Sequence, residues 1–456
     1  MISLIRQIIN PSNQLKNIVN SVKPVIKPIA PQQNSQTDVE ETSETKKASY
    51  RMAKLIMVTP NNNNKFYEMR EKGDGMFTAT YGRVGTKGAQ LEYPMSQWDQ
   101  KVREKTRKGY KDQTALFAEL KVEEEMEVLD AKDENVKRLV NELMSFARKS
   151  ISHHYMVSAE QVSEKQVAEA QKTLDALVKK VKRSMDVELF NAQLIELYQV
   201  IPRKMKQVKN HLIEKPKGNK GLWAIKDMLA SEQATLDVMR GQVELNNAKK
   251  EATPEQKQVT LLESLGLHIE VEKDAKAIRL IKRMMKNNAT HFSRAYRVTN
   301  YRTQTAYDQF LAERKNKKSE LFWHGSRNEN WFSIIKEGLV LRPANAIING
   351  KMFGYGLYFA DKCQKSLNYT SFRGSYWARG NSNKAFLALY DVHVGNQLKV
   401  KKHESWCCSL SKTNLKKRGE KYDSIYAQGG VDLINNEYIV YDSAQSTIRY
   451  LVEIKN

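Results

Sequence analysis

Two stretches restrict this chain's folding more than anything else in it. Leu321-Phe322-Trp323 is an apolar run that stops on His324-Gly325-Ser326, the pattern of a buried strand delivering a polar corner. Later, Phe353-Gly354-Tyr355-Gly356 forms a glycine-hinged turn into Leu357-Tyr358-Phe359-Ala360-Asp361, followed by Lys365-Ser366-Leu367-Asn368-Tyr369. Near the C-terminus a polar bend, Asn435-Asn436, carries Glu437 into Tyr438-Ile439-Val440-Tyr441. Taken singly, His324 reads as a turn or packing residue, Tyr358 and Tyr369 as core aromatics, and Glu437 as a loop charge. Their order along one chain is what points to a site.

The 456 residues are enough for about three domains. No run approaches the roughly 18 to 20 apolar residues that a membrane-spanning helix needs, so no membrane partner is expected. The chain carries 75 Lys and Arg against 52 Asp and Glu, a net charge of +23. Such an excess favours polyanions through counterion release. Cys363, Cys407 and Cys408 are the only cysteines. An odd count with an adjacent pair gives neither a disulfide framework nor a zinc spacing, which fits a reducing compartment and predicts no metal.

Residues 1–50 carry Pro24, Pro28 and Pro31 and a polar run from Gln32 to Lys47; they cannot build a core and are expected to be a disordered basic arm. An arm that touches nucleic acid, an organellar targeting peptide and an inert leader are the available readings. Residues 51–125 read as a small β-rich domain. Its strands cover Lys54–Val58, Lys65–Met69 and Met76–Tyr81, and a helix runs from Gln97 to Lys108 around a core Trp98. Arg83, Lys87 and Lys105 concentrate charge near Tyr81, an aromatic able to stack on a base. Residues 130–250 are poor in glycine and apolar at helical spacing, with a capping-box pattern at Ser163-x-x-Gln166. An all-helical bundle follows. His153 and His154 are adjacent and read as exposed loop residues rather than metal ligands.

From residue 253 to 456, strands and helices alternate without a Gly-x-Gly-x-x-Gly, so any dinucleotide is not held by a Rossmann phosphate turn. Strands are expected at Leu267–Val271 and Ala295–Thr299, and helices at Lys273–Asn287 and Ala306–Lys315.

His-Gly-Ser, Gly-Leu-Tyr-Phe-Ala-Asp, Lys-Ser-x-Asn-Tyr and Asn-Glu-Tyr-Ile-Val-Tyr, in this order, resemble the poly(ADP-ribose) polymerases. Tyr81-Gly82-Arg83-Val84-Gly85 resembles the Trp-Gly-Arg signature of a WGR domain, with tyrosine in place of tryptophan. The resemblance implies a multidomain α+β protein of the DNA-dependent type: a WGR domain, an autoinhibitory helical bundle and an ADP-ribosyltransferase domain built on split antiparallel sheets. It also implies NAD as substrate, DNA strand breaks and acceptor proteins (itself included) as partners, and a nuclear location, with the cytoplasm as the alternative.

Within that fold the resemblance gives each residue a task. Gly325 and Ser366 would pair with the nicotinamide carboxamide, Tyr369 and Tyr358 would flank the ring, and His324 would hold the adenosine-side ribose, with Ser326 beside it. Glu437 would stabilise the charge that grows on the ribose as nicotinamide departs, and His324, Tyr358 and Glu437 match the triad associated with polymer synthesis. Arg342 stands two residues from Val340, where relatives carry an arginine near the adenine. Tyr81, Arg83, Lys87 and Lys105 would meet DNA. A mono-ADP-ribosyltransferase and an inactive DNA-end-binding adaptor remain the alternatives.

Overall fold

The strand pattern of the first region closes into a five-stranded sheet. β1 (Met52–Val58), β2 (Asn64–Glu71), β3 (Met76–Arg83), β4 (Ala89–Pro94) and β5 (Lys111–Asp112) lie in the order β4-β3-β2-β1-β5. A helix, Trp98–Arg107, packs its buried Trp98 edge-on against Phe77, with ring centroids 5.0 Å apart. β4 has no counterpart in the sequence reading. It is an edge strand paired to β3 alone and largely exposed, so its side chains never needed the apolar alternation that betrays a half-buried strand. These statements rest on a computed structural model, which describes residues 50–117, 133–156, 161–182, 184–251, 261–341 and 352–456. The arm call for residues 1–50 and the Arg342 call therefore lie outside the described residues, save Tyr50.

Four longer helices follow: Glu134–His154, Glu164–Lys180, Val187–Val200 and Gly218–Glu251. The second starts on a complete capping box: the Ser163 hydroxyl accepts from the Gln166 amide at 3.1 Å, and the Gln166 side chain accepts from the Ser163 amide at 3.2 Å. His153 and His154 close the first helix rather than sitting in a loop. The core of the helical region, which includes Leu174, Phe190, Leu194 and Leu229, runs on into both neighbours. Ala147 and Ile151 join a cluster with Ile56, Val58 and Phe66 of the first sheet. About one to three turns before Ala147 on the same helix, Val136, Leu139, Val140 and Leu143 join Phe322, Trp331 and Leu451 of the last region. One rod is thus glued to both neighbours, and Gly241 lets the last helix approach Ser333 so closely that a Cβ would lie 2.8 Å from the serine Cβ.

The last region holds β6 (Leu267–Val271), β7 (Phe292–Asn300), β8 (Ser319–Gly325), β9 (Leu357–Phe359), β10 (Lys384–His393), β11 (Gln397–Val400), β12 (Ser424–Ala427), β13 (Glu437–Val440) and β14 (Ser446–Lys455). They form a five-stranded sheet, β6-β7-β14-β10-β8, and a four-stranded sheet, β11-β12-β13-β9. Pairings are antiparallel except β11 with β12, which is parallel. The helix expected at Ala306–Lys315 begins earlier, at Tyr301, because the Asn300 side chain caps it by accepting from the Thr303 amide at 3.0 Å. Trp323, on β8, and Trp331, at the start of the helix Trp331–Glu337, are completely buried. Each such ring takes about 150–250 Å² out of water, roughly 4–6 kcal/mol.

Candidate active site

The two sheets of the last region meet at one backbone bridge. The Trp323 amide donates to the Ala360 carbonyl at 2.8 Å, and the Ala360 amide donates back to Trp323 at 3.0 Å. That bridge sets His324, the next residue of β8, against β9. Its Nδ1 lies 3.1 Å from the Tyr358 carbonyl. A carbonyl only accepts, so Nδ1 carries the hydrogen and Nε2 is left with a lone pair. Rings of Trp331, Phe359 and Tyr390 stand edge-on around the imidazole, with centroids 6.0–6.4 Å away. Burial among them pulls the His324 pKa down, against a smaller upward pull from the Tyr358 carbonyl, which favours a neutral ring.

Gly325 follows, and nothing larger fits there. A Cβ at this position would lie 1.9 Å from the Ser366 carbonyl oxygen. The fold thereby presses a bare backbone against the helix Cys363–Leu367, whose Ser366 is 4% exposed. The Ser326 hydroxyl accepts from the Asn330 side-chain Nδ2 at 3.0 Å. Gly354, in the hinge before β9, has φ +70°, and a Cβ there would strike the Leu410 carbonyl at 2.1 Å.

Register places the remaining groups. Ile439 of β13 faces Tyr358 of β9, and side chains on a strand alternate, so Glu437 shares the Tyr358 face as its diagonal neighbour. The Tyr358 hydroxyl accepts from the Phe353 amide at 3.1 Å and donates to the Gly354 carbonyl at 2.9 Å. With its hydroxyl committed to backbone, Tyr358 offers its ring. Glu437 is 6% exposed. Its Oε1 is paired with the Lys365 ammonium, while Oε2 has no hydrogen-bond partner among the described residues. A buried carboxylate oxygen left bare is costly and rare, and Oε2 keeps its full capacity to accept a hydrogen bond. Tyr369 stands near, its pKa pushed up to about 12 by burial and then by the Glu437 charge.

Two supports escaped the sequence reading. Lys365 was visible only as part of the Lys-Ser-x-Asn-Tyr run, with no role; its pairing with Glu437 joins residues 72 apart. Asn436 donates to Asp361 at 2.9 Å and accepts from the Gly429 amide at 2.9 Å, fixing the bend before Glu437. No pattern in the chain couples Asn436 to Asp361.

Of the four residues expected at DNA, Tyr81 stacks on Tyr67 at 5.8 Å, and the Lys105 ammonium lies 4.3 Å from the Tyr67 centroid and 6.0 Å from that of Tyr81. Lys87 is exposed. Arg83 does not join them as an open cation. Its guanidinium donates to the Asn62 carbonyl (3.0 Å) and side chain (2.9 Å), and to the Met205 (3.0 Å) and Lys206 (2.6 Å) carbonyls below the helical region. Among the described residues no group of three or more potential metal ligands is found, and no helix is long and apolar enough to cross a membrane.

Comparison with known proteins gives two family matches: the poly(ADP-ribose) polymerase catalytic domain over residues 272–456 and the WGR domain over residues 51–116. A putative poly [ADP-ribose] polymerase-like protein, 100L, of Invertebrate iridescent virus 6 is 33% identical over 35% of this chain and 83% of its own length. An uncharacterized protein, 101L, of the same virus is 33% identical over 42% of this chain and 78% of its own. Human poly [ADP-ribose] polymerase 2 is 31% identical over 34% of this chain and 31% of its own.

Proposed function

This chain belongs to the poly(ADP-ribose) polymerase family and is an NAD+ ADP-ribosyltransferase, and from that premise we propose that it builds ADP-ribose polymers when it meets DNA breaks. The observation that carries the proposal is the bare Oε2 of buried Glu437 on the same sheet face as Tyr358. In this reading the nicotinamide of NAD, the substrate, lies between the Tyr358 and Tyr369 rings with its carboxamide on the Gly325 backbone and Ser366. His324 accepts a ribose hydroxyl at Nε2.

Breaking the bond between C1′ and nicotinamide leaves its electron pair on the ring nitrogen and positive charge on the ribose. Oε2 accepts the 2′-hydroxyl proton in a hydrogen bond that strengthens as that charge grows, so it favours the transition state over bound NAD. The incoming hydroxyl, oriented by the same carboxylate, then attacks C1′, forming the new C1′–O bond as its O–H bond breaks and the proton passes to solvent. Lys365 holds the carboxylate in one rotamer from the side opposite to the substrate.

DNA control is the other half of the proposal. Arg83 ties the end of β3 to the segment after the helix Val187–Val200, and the helix Glu134–His154 leans on the strand and helix around His324. Strain at the first sheet on binding a DNA end is thereby passed to the roof of the donor pocket. The targets are acceptor proteins, the chain itself among them, and the site of action is the nucleus.

The test is labelled NAD incubated with the full chain, with and without nicked or blunt DNA, and the products separated by size. A ladder that appears or lengthens with DNA and vanishes in Glu437→Gln is expected. Single units alone, or no DNA response, overturn the corresponding half. Imaging the full chain beside a form lacking residues 1–50 checks the location.

A further inference from the structure

Residues 362–384 contain five basic residues (Lys362, Lys365, Arg373, Arg379 and Lys384) and no acidic one. In their midst Tyr376 and Trp377 are 70% and 64% exposed. Large aromatics at that exposure normally belong to floppy tips, but this loop is rigidly held. The Trp377 and Ala378 amides both donate to the Asn368 carbonyl, at 3.1 and 3.0 Å. Arg327 donates to the Ala378 carbonyl at 3.0 Å. Ser375, 3% exposed, donates to the Thr370 carbonyl and accepts from the Gly380 amide, both at 2.8 Å. Backbone presses so close on Gly380 that a Cβ there would sit 2.2 Å from the Phe372 carbonyl.

The result is a fixed knuckle. The Tyr376 and Trp377 rings stand at 85° with centroids 4.7 Å apart, a notch in which a flat base can lie on one face and meet the edge of the other. Arg373 and Arg379, both exposed, lie within three residues of the pair in the chain, and exposed Lys362 opens the same segment. The knuckle hangs from Asn368, one residue from Tyr369 and two from Ser366, at the rim of the donor pocket.

We propose that Tyr376 and Trp377 form a stacking platform that holds an ADP-ribose chain as it leaves the catalytic cleft. Each unit of such a chain offers one adenine ring and one pyrophosphate, matching an aromatic pair set among arginines. Position selects this occupant over nucleic acid: a product chain starts where the new linkage forms, beside Tyr369, whereas the DNA reading belongs to the first sheet. Retention at the rim keeps the growing end within reach and favours long products. The inference rests on the polymer reading of the same site.

The experiment uses the full chain without NAD and a ready-made, size-fractionated, fluorescent ADP-ribose oligomer, with single-stranded DNA of equal charge in parallel. Anisotropy at one fixed salt concentration is expected to show binding that Trp377→Ala weakens about tenfold or more. Trp377→Phe, which keeps a ring, stays within about threefold. Equal affinity in Tyr376→Ala/Trp377→Ala and parent overturns the proposal, as does absence of binding. So does single-stranded DNA that binds more tightly than the oligomer and depends on Trp377. Because the oligomer is supplied, this outcome is separate from product sizing: a ladder without Trp377-dependent binding sinks the platform alone, and single units sink the reading beneath it.

Discussion

Replacing Lys365 by methionine removes the cation from Glu437 while keeping a side chain of similar length. Both members are hidden, with side-chain exposures of 15% and 8%, so the pair is shielded from solvent and salt. Breaking a buried pair from one side costs about 3–5 kcal/mol, because the carboxylate is left with neither oxygen satisfied. If half of about 4 kcal/mol is felt at the transition state, where the carboxylate must point at the ribose, kcat falls about thirtyfold, 1.4 kcal/mol being tenfold. Substrate contacts on the Gly325 side are untouched, so KM for NAD should stay within about threefold. Nicotinamide release under saturating NAD measures the first quantity and its concentration dependence the second.

Lys365→Arg restores a cation and should recover most of kcat. Burial, the larger influence, pulls Lys365 below the usual lysine value, while Glu437 and then Asp361 pull it back. Deprotonation as pH rises therefore starts below the ordinary lysine range, and parent activity falls along that alkaline limb. Arginine keeps its proton there and extends the plateau. Full kcat in Lys365→Met, or a loss confined to KM, refutes the reasoning.

Three further outcomes are expected. Arg83→Ala strands the Met205 and Lys206 carbonyls and should cut DNA-stimulated product formation about tenfold or more with little change in DNA-free turnover, and Arg83→Lys should not rescue it because an ammonium lacks the fork; equal loss with and without DNA counts against the relay. Gly241→Leu drives a side chain into Ser333, an overpacking worth about 1–3 kcal/mol, and should raise DNA-independent activity severalfold; unchanged basal activity with a lowered melting temperature argues that the helices do not restrain the site. Burial depresses the His324 pKa, so the ring gains its proton only below the ordinary histidine value of about 6.5, and kcat/KM should hold level from pH 8 down to about 7; an acid limb centred at or above about pH 6.5 contradicts a neutral histidine.

The sequence by itself determined the local pieces. The apolar run into His324, the aromatic strand with Tyr358, the capping box at Ser163 and the buried Trp98 are all fixed by alternation, helical spacing or turn chemistry within a few residues. So were the two glycines whose missing side chains matter most, since Gly325 and Gly354 sit in motifs whose order was already informative. Signals that were missing cost one element and one boundary: β4, an exposed edge, went unseen, and the helix expected at Ala306 starts five residues earlier, at Tyr301, announced only by an asparagine that also ends a strand.

Tertiary structure alone decided who stands beside whom. Lys365 meets Glu437, Asp361 meets Asn436, and Arg83 reaches the Met205 carbonyl 122 residues away. Glu437 joins Tyr358 only because β13 pairs with β9 in one register rather than the next, and a slip of one residue would turn the carboxylate to the other face. Local patterns record the covalent neighbours of a residue. Partners across sheets and helices are set by packing, which no short stretch of chain encodes.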